Sequence, residues 1–134
     1  MVKIIKKVVL AVSLFIISIG TVNARNGQYT GNMTVSPITM EASYTKQANS
    51  NTCITVKLNS NTSHTYKVMF RVLNYHDELP NCSWITVTEG GSSVSAGYLS
   101  GRYEAAGDPI FVTWKNGTLL NPFSYTVNGY YIYY

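Results

Sequence analysis

Charge is scarce in this sequence: Asp, Glu, Lys and Arg make up 12% of its 134 residues, and histidine and cysteine occur twice each. So few titratable groups leave little material for acid–base, nucleophilic or metal chemistry, which needs several such side chains brought together. No G-x-S-x-G, H-E-x-x-H or phosphate-cradling glycine loop is present. A helical stripe is missing too, since no segment repeats its apolar residues at a period near 3.6. Long apolar runs are limited to one, "VVLAVSLFIISIG", of 13 residues. Spanning a membrane takes about 20 apolar residues, so the run is short for an anchor.

Its flanks give that run a meaning. A cationic start, "MVKIIKK", precedes it, and the small-residue stretch "VNA", Val22 to Ala24, follows. That order is expected of a cleaved secretory signal over 1–24, with an uncleaved anchor as the rival reading. Three of the ten basic residues (Lys3, Lys6, Lys7) lie in the signal and all six acidic ones lie beyond it, so the remainder carries seven basic against six acidic, or +1. A near-neutral chain has no electrostatic footprint for nucleic acid or anionic membrane, and neither partner is expected. The 110 residues left are enough for one domain with its own core.

Export to an oxidising compartment makes one disulfide the natural use of Cys53 and Cys82. Closing that loop of 30 residues would disfavour the unfolded chain by roughly 3 to 4 kcal/mol. Two distant cysteines are too few for zinc, and a nucleophilic cysteine would more often stand alone beside an activating histidine. No metal and no cofactor is expected.

What the chain has in quantity is alternation. "ITVKL" sets Ile54, Val56 and Leu58 against Thr55 and Lys57; "TYKVMFRVLNY" sets Tyr66, Val68, Phe70 and Val72 on one face; "WITVTE" and "IFVTW" alternate likewise. Asn116-Gly117 predicts a two-residue hairpin, and "NSNTSH", "HDELPN", "EGGSSVSAG" and "AAGDP" predict loops. Seven or eight short strands predict an all-β antiparallel sandwich. His76, Asp77 and Glu78 stand side by side in "YHDELP", a candidate acid–base or metal cluster, though neighbours on a strand point to opposite faces and the bland reading is a polar turn before Pro80. His64 has no partner at ligand spacing, Ser92 and Ser93 fall in a glycine-rich turn, and the sequons at Asn32, Asn61, Asn81 and Asn116 matter only in a glycosylating host.

The end of the chain, "FSYTVNGYYIYY", carries six aromatics in twelve residues. Phe123, Tyr125, Val127, Gly129, Tyr131 and Tyr133 form one alternating face, predicting a single strand of about 40 Å. The rival is a hairpin turning at Asn128-Gly129, with arms too short to stand alone. Behind the signal, Tyr29, Gly31, Met33 and Val35 alternate in an arm over 25–37, ahead of a sandwich domain over 38–134. Such an arm either joins its own sheet or is lent to another chain.

With its export signal, an alternating arm with central Gly31, cysteines in "NTCITVKL" and "NCSW", and the closing "NPFSYTVNGYYIYY", the chain resembles the subunits of chaperone/usher pili and related polyadhesins. That resemblance implies an immunoglobulin-like sandwich lacking its last strand, completed first by a periplasmic chaperone and then by the arm of the next subunit. It implies Tyr29, Gly31, Met33 and Val35 as donated residues. Phe123, Tyr125, Val127, Tyr131 and Tyr133 would line the groove or dock on the chaperone. The partners implied are copies of this chain or related subunits, the chaperone and an outer-membrane usher, with a host receptor as a further one. The location implied is the periplasm and then the cell surface, and the role structural and adhesive rather than enzymatic. A second reading is a self-complete secreted sandwich binding a carbohydrate, a host receptor or another secreted protein, supported by 11 tyrosines. A third, a small secreted hydrolase, lacks a nameable nucleophile and base. An arm with no room in its own sheet is what would favour the first reading over the second.

Overall fold

A computed structural model describes residues 27–61, 67–118 and 123–134. The signal over 1–24, His64 and Tyr66 lie outside the described residues. Eight strands follow in order: β1 (Gln28–Val35), β2 (Met40–Thr45), β3 (Thr52–Asn61), β4 (Val68–Asn74), β5 (Ile85–Val87), β6 (Val94–Gly97), β7 (Pro109–Asn116) and β8 (Tyr125–Tyr133). They form two antiparallel sheets of four, ordered β1-β8-β3-β6 and β2-β7-β4-β5. The described residues form an all-β sandwich.

Alternation explains which face of each strand is inside. β8 is buried at Tyr125, Val127, Gly129, Tyr131 and Tyr133, and half-buried at every residue between them. β3 sends Ile54, Val56 and Leu58 inward, and β4 sends Val68, Phe70 and Val72 to meet them. Transfer of each such side chain from water contributes on the order of 1.5 to 3 kcal/mol, so these six alone are a large part of what holds the layers together. β4 is central, between β7 and β5, and its outer face is accordingly only partly polar, with Leu73 also buried.

The pairing follows one rule: β1 with β8, β2 with β7, β3 with β6, β4 with β5. The chain is in effect one long hairpin of strands, rolled so that alternate pairs fall in alternate sheets, which is the order of a jelly roll. An immunoglobulin domain keeps its first two strands in one sheet. Here β1 and β2 lie in opposite sheets, so the strand order departs from the one the resemblance implies.

Two local expectations need correction. Asn116-Gly117 does not turn a hairpin, because β7 and β8 belong to different sheets. Neither residue takes a positive φ, and the Gly117 amide instead donates to the Lys67 carbonyl at 2.9 Å, extending the β4–β7 ladder. "EGGSSVSAG" is not all loop, since its last four residues are β6. The alternative turn at Asn128-Gly129 is absent: β8 runs straight through it. Gly129 is there for contact. A Cβ on it would lie 2.3 Å from the Lys57 carbonyl oxygen, where β3 shifts register between Leu58 and Ser60. Opposite it stands Gly31, at φ 144°, a conformation that favours glycine. At the far end of the β1–β8 ladder the Gly27 carbonyl accepts from the Tyr133 amide at 2.8 Å.

Candidate binding cleft between the β1 and β2 edges

β1 and β2 are the edge strands of the two sheets and face each other across one open side of the sandwich. Between them lies a cleft of about 140 Å³. Tyr29 and Met33 of β1 and Tyr131 of β8 form one wall; Met40, Ala42 and Tyr44 of β2 and Trp114 of β7 form the other; Asn32, Thr34 and Glu41 complete the lining. Tyr29 and Met33, like Met40, Ala42 and Tyr44, come to the cleft by strand alternation, being spaced by an even count, whereas Asn32, Thr34 and Glu41 hold the intervening positions.

The aromatic rings brace one another. Tyr29 stacks on Tyr131 with centroids 5.0 Å apart and planes 11° apart, and Tyr44 stacks on Tyr133 at 4.4 Å. The Tyr44 and Tyr131 hydroxyls share a hydrogen bond of 2.7 Å, tying the two sheets together. The Tyr29 hydroxyl donates to the Asn32 carbonyl, and Trp114 Nε1 donates to the Thr34 carbonyl at 3.0 Å. Burial, and then the neighbouring Tyr44, push the Tyr131 phenol well above the ordinary value for tyrosine. Burial raises Tyr29 and Tyr133 as well, and Tyr44 despite its bond to Tyr131. All four rings therefore stay neutral at physiological pH. Neutral aromatic walls carrying phenol hydroxyls suit stacking and hydrogen bonding.

Of the nine residues that the resemblance assigns to arm and groove, Tyr29, Met33 and Tyr131 line this cleft. Gly31, Met33 and Val35 pair with Gly129, Val127 and Tyr125, so the arm lies along the face assigned to the groove, within one molecule. Tyr133 is buried behind the cleft against Tyr44, and Tyr125 donates its hydroxyl to the Lys67 carbonyl at 2.7 Å. Phe123 departs from the predicted face: it is 69% exposed, because the ladder ends at the Val35–Tyr125 pair and nothing continues the alternation. The sequence reading missed Met40, Tyr44 and Trp114, although "MEASYT" alternates Met40, Ala42 and Tyr44 and so carried a signal.

The other candidate groups lie elsewhere. Cys53 and Cys82 are buried, 3.8 Å apart and not bonded. Contact with Cys82 and burial push the Cys53 thiol up. Beside them Lys46 is wholly buried, its Nζ donating to the Tyr98 hydroxyl at 2.6 Å and lying over the rings of Tyr98 and Tyr103. His76, Asp77 and Glu78 form a turn: Asn74 Oδ1 accepts from the His76 and Asp77 amides, and Arg102 grips Asp77 through two bonds of 2.8 and 3.0 Å. Among the described residues no group of three or more His, Cys, Asp and Glu is placed to hold a metal ion. No protein-family model matches this chain, and no curated protein or solved structure is significantly similar to it, so any assignment of function rests on the cleft and on the strands that frame it.

Proposed function

We propose that this chain is an exported, self-complete β-sandwich that acts as a binding module, taking a saccharide ring in the cleft between β1 and β2. The observation that carries the reading is the seat of the arm: β1 pairs with β8 of its own chain through eight successive residues, from Gln28–Ile132 to Val35–Tyr125. That arm also supplies Tyr29 and Met33 to the cleft wall. A pyranose presents an apolar C–H face to aromatic rings and hydroxyls to polar groups such as the Tyr29 and Tyr44 hydroxyls, and a space of about 140 Å³ suits one ring rather than an extended chain. The test is a saccharide panel titrated into isotope-labelled protein. Chemical shifts at Tyr29, Tyr44 and Trp114 should move together with at least one sugar, and Tyr44→Phe should weaken that response. A panel that leaves those three unmoved overturns the reading.

Strand exchange between subunits of a surface fibre is the second reading, favoured by the position of β1. Among the described residues it is an edge strand with a single hydrogen-bonded neighbour, β8, and only the short stretch 36–39 joins it to β2. An edge strand held through one seam is the kind of element that chains exchange, and head-to-tail exchange that does not close yields a fibre. Deleting residues 25–36 separates the two. A lending subunit should still fold when a peptide of residues 25–36 or a chaperone is supplied, and should not polymerise. A self-complete module should lose its folded state, with loss of near-UV circular dichroism, and a peptide of its own arm should not assemble it into polymers.

In either reading the exported form is proposed to carry the Cys53–Cys82 disulfide, since the pair is already adjacent and buried. An intact mass showing two alkylatable thiols in native, unreduced protein from an oxidising compartment would sink that proposal.

A further inference from the structure

Away from the cleft, the outer face of the β2-β7-β4-β5 sheet gathers cations. Arg71 points outward between buried Phe70 and Val72; Lys115 of β7 stands opposite Met69; and Lys67, just ahead of β4, is exposed beside Gly117. Trp84 lies against two of them. The Arg71 guanidinium carbon is 4.3 Å from its ring centroid and Lys115 Nζ is 4.7 Å from it. Two like charges on one indole repel, and the ring's negative face offsets only part of that repulsion.

Among the described residues, no carboxylate lies at ion-pair distance from Arg71, Lys115 or Lys67, whereas Arg102 at the end of the sandwich holds Asp77. Arg71 Nε is shielded from water and has no hydrogen-bond partner. A guanidinium offers five donors in a fork that matches oxyanions. Three of the seven cations outside 1–24 share this face, in a stretch of chain whose net charge is only +1. The feature is a local concentration of positive charge, not general basicity.

We propose that this face docks an anionic polysaccharide, whose sulfate or carboxylate groups are accepted by Arg71, Lys115 and Lys67 while a sugar edge rests on Trp84. The strip is open, so a single free oxyanion held by surface cations gains little in water. Successive anionic groups on one polymer engage the three cations together and gain from their linkage. A single-stranded nucleic acid would need a row of free aromatic platforms, and here one indole is already flanked by cations. The proposal goes beyond the saccharide cleft and uses none of its residues.

The experiment measures fluorescence anisotropy of labelled dextran sulfate with the full domain at low and moderate salt. Replacing Arg71 and Lys115 together by Gln should weaken binding about tenfold, in line with the loss of two charge contacts, while the melting temperature stays unchanged. Lys57→Gln, on the outer face of the other sheet, should change it less than about twofold if the strip is specific. Tyr44→Phe, at the cleft, should not weaken it, which separates failure here from failure of the cleft reading. Neutral dextran should not compete, and inorganic sulfate at equal sulfate concentration should compete poorly. The proposal is overturned by equal losses from Lys57→Gln and from the Arg71/Lys115 pair, by equal competition from inorganic sulfate or neutral dextran, or by tighter binding to duplex DNA or anionic vesicles than to dextran sulfate.

Discussion

Tyr133 and Tyr134 are sequence neighbours in opposite surroundings. Tyr133 is 4% exposed and stacked on Tyr44, while Tyr134, beyond the last residue of β8, is half-buried and reaches Thr55 Oγ1 at 3.3 Å. Removing a buried ring leaves a cavity that its neighbours fill only in part, so Tyr133→Ser should cost about 2 to 4 kcal/mol. Tyr134→Ser should cost about 0.5 kcal/mol or less. Denaturant unfolding of the two variants checks this, and equal midpoints would mean that the end of β8 does not alternate as described. The inward set of β8 was legible in the sequence because large rings recur there at a strict period of two. Phe123 was misread because the same pattern continues past the point where β1 stops pairing. Lys46 was illegible: lysine reads as a surface residue, and its aromatic cage comes from Tyr98 and Tyr103, more than fifty positions away.

At the level of strands, β3, β4, β7 and β8 could be read directly because each has a buried face of large apolar residues. β2 and β6 were harder for a physical reason. Neither has a fully buried face of large apolar residues: β2 is only half-buried on its inner side, and β6 buries only Ala96. β6 becomes a strand by pairing with β3 from Thr52–Gly97 to Val56–Val94, and strand preference is set by such partners more than by composition. The Asn116-Gly117 signal failed for the same reason. A turn dipeptide marks a reversal only when the strands it joins are partners, and β7 and β8 are not. The walls of the cleft were half legible: β1 and β8 could be seen in the sequence, but nothing local says that the half-buried face of β2 stands across from them.

For the whole molecule, the largest buried ionisable feature is the set of tyrosines between the sheets. Tyr131 is 1% exposed, and its phenol is raised above the ordinary tyrosine value of about 10, chiefly by burial. The sign is fixed by linkage. The unfolded chain releases this proton near pH 10 and the folded chain keeps it, so the contribution is fully present below pH 10 and is lost as pH rises above it. Tyr131 alone should remove about 1.4 kcal/mol per pH unit in that range. A spectrophotometric phenol titration should show the exposed tyrosines ionising first and the buried ones only as the circular dichroism of the fold collapses. Simple, non-cooperative ionisation of all the tyrosines near pH 10 would contradict the buried cluster. The pairing order that builds this interior was not legible, because partners such as Tyr29 and Tyr131 lie about a hundred residues apart. The same rolled order brings Gly27 against Tyr133, so the polypeptide can be drawn as a closed ring. A short peptide joining the last residue to the first of β1, with new ends cut in the turn between β5 and β6, would give a circular permutant that keeps every ladder. In that permutant β1 is tethered at both ends and cannot leave home, so any assembly that depends on lending it is switched off without altering a single side chain of the seam.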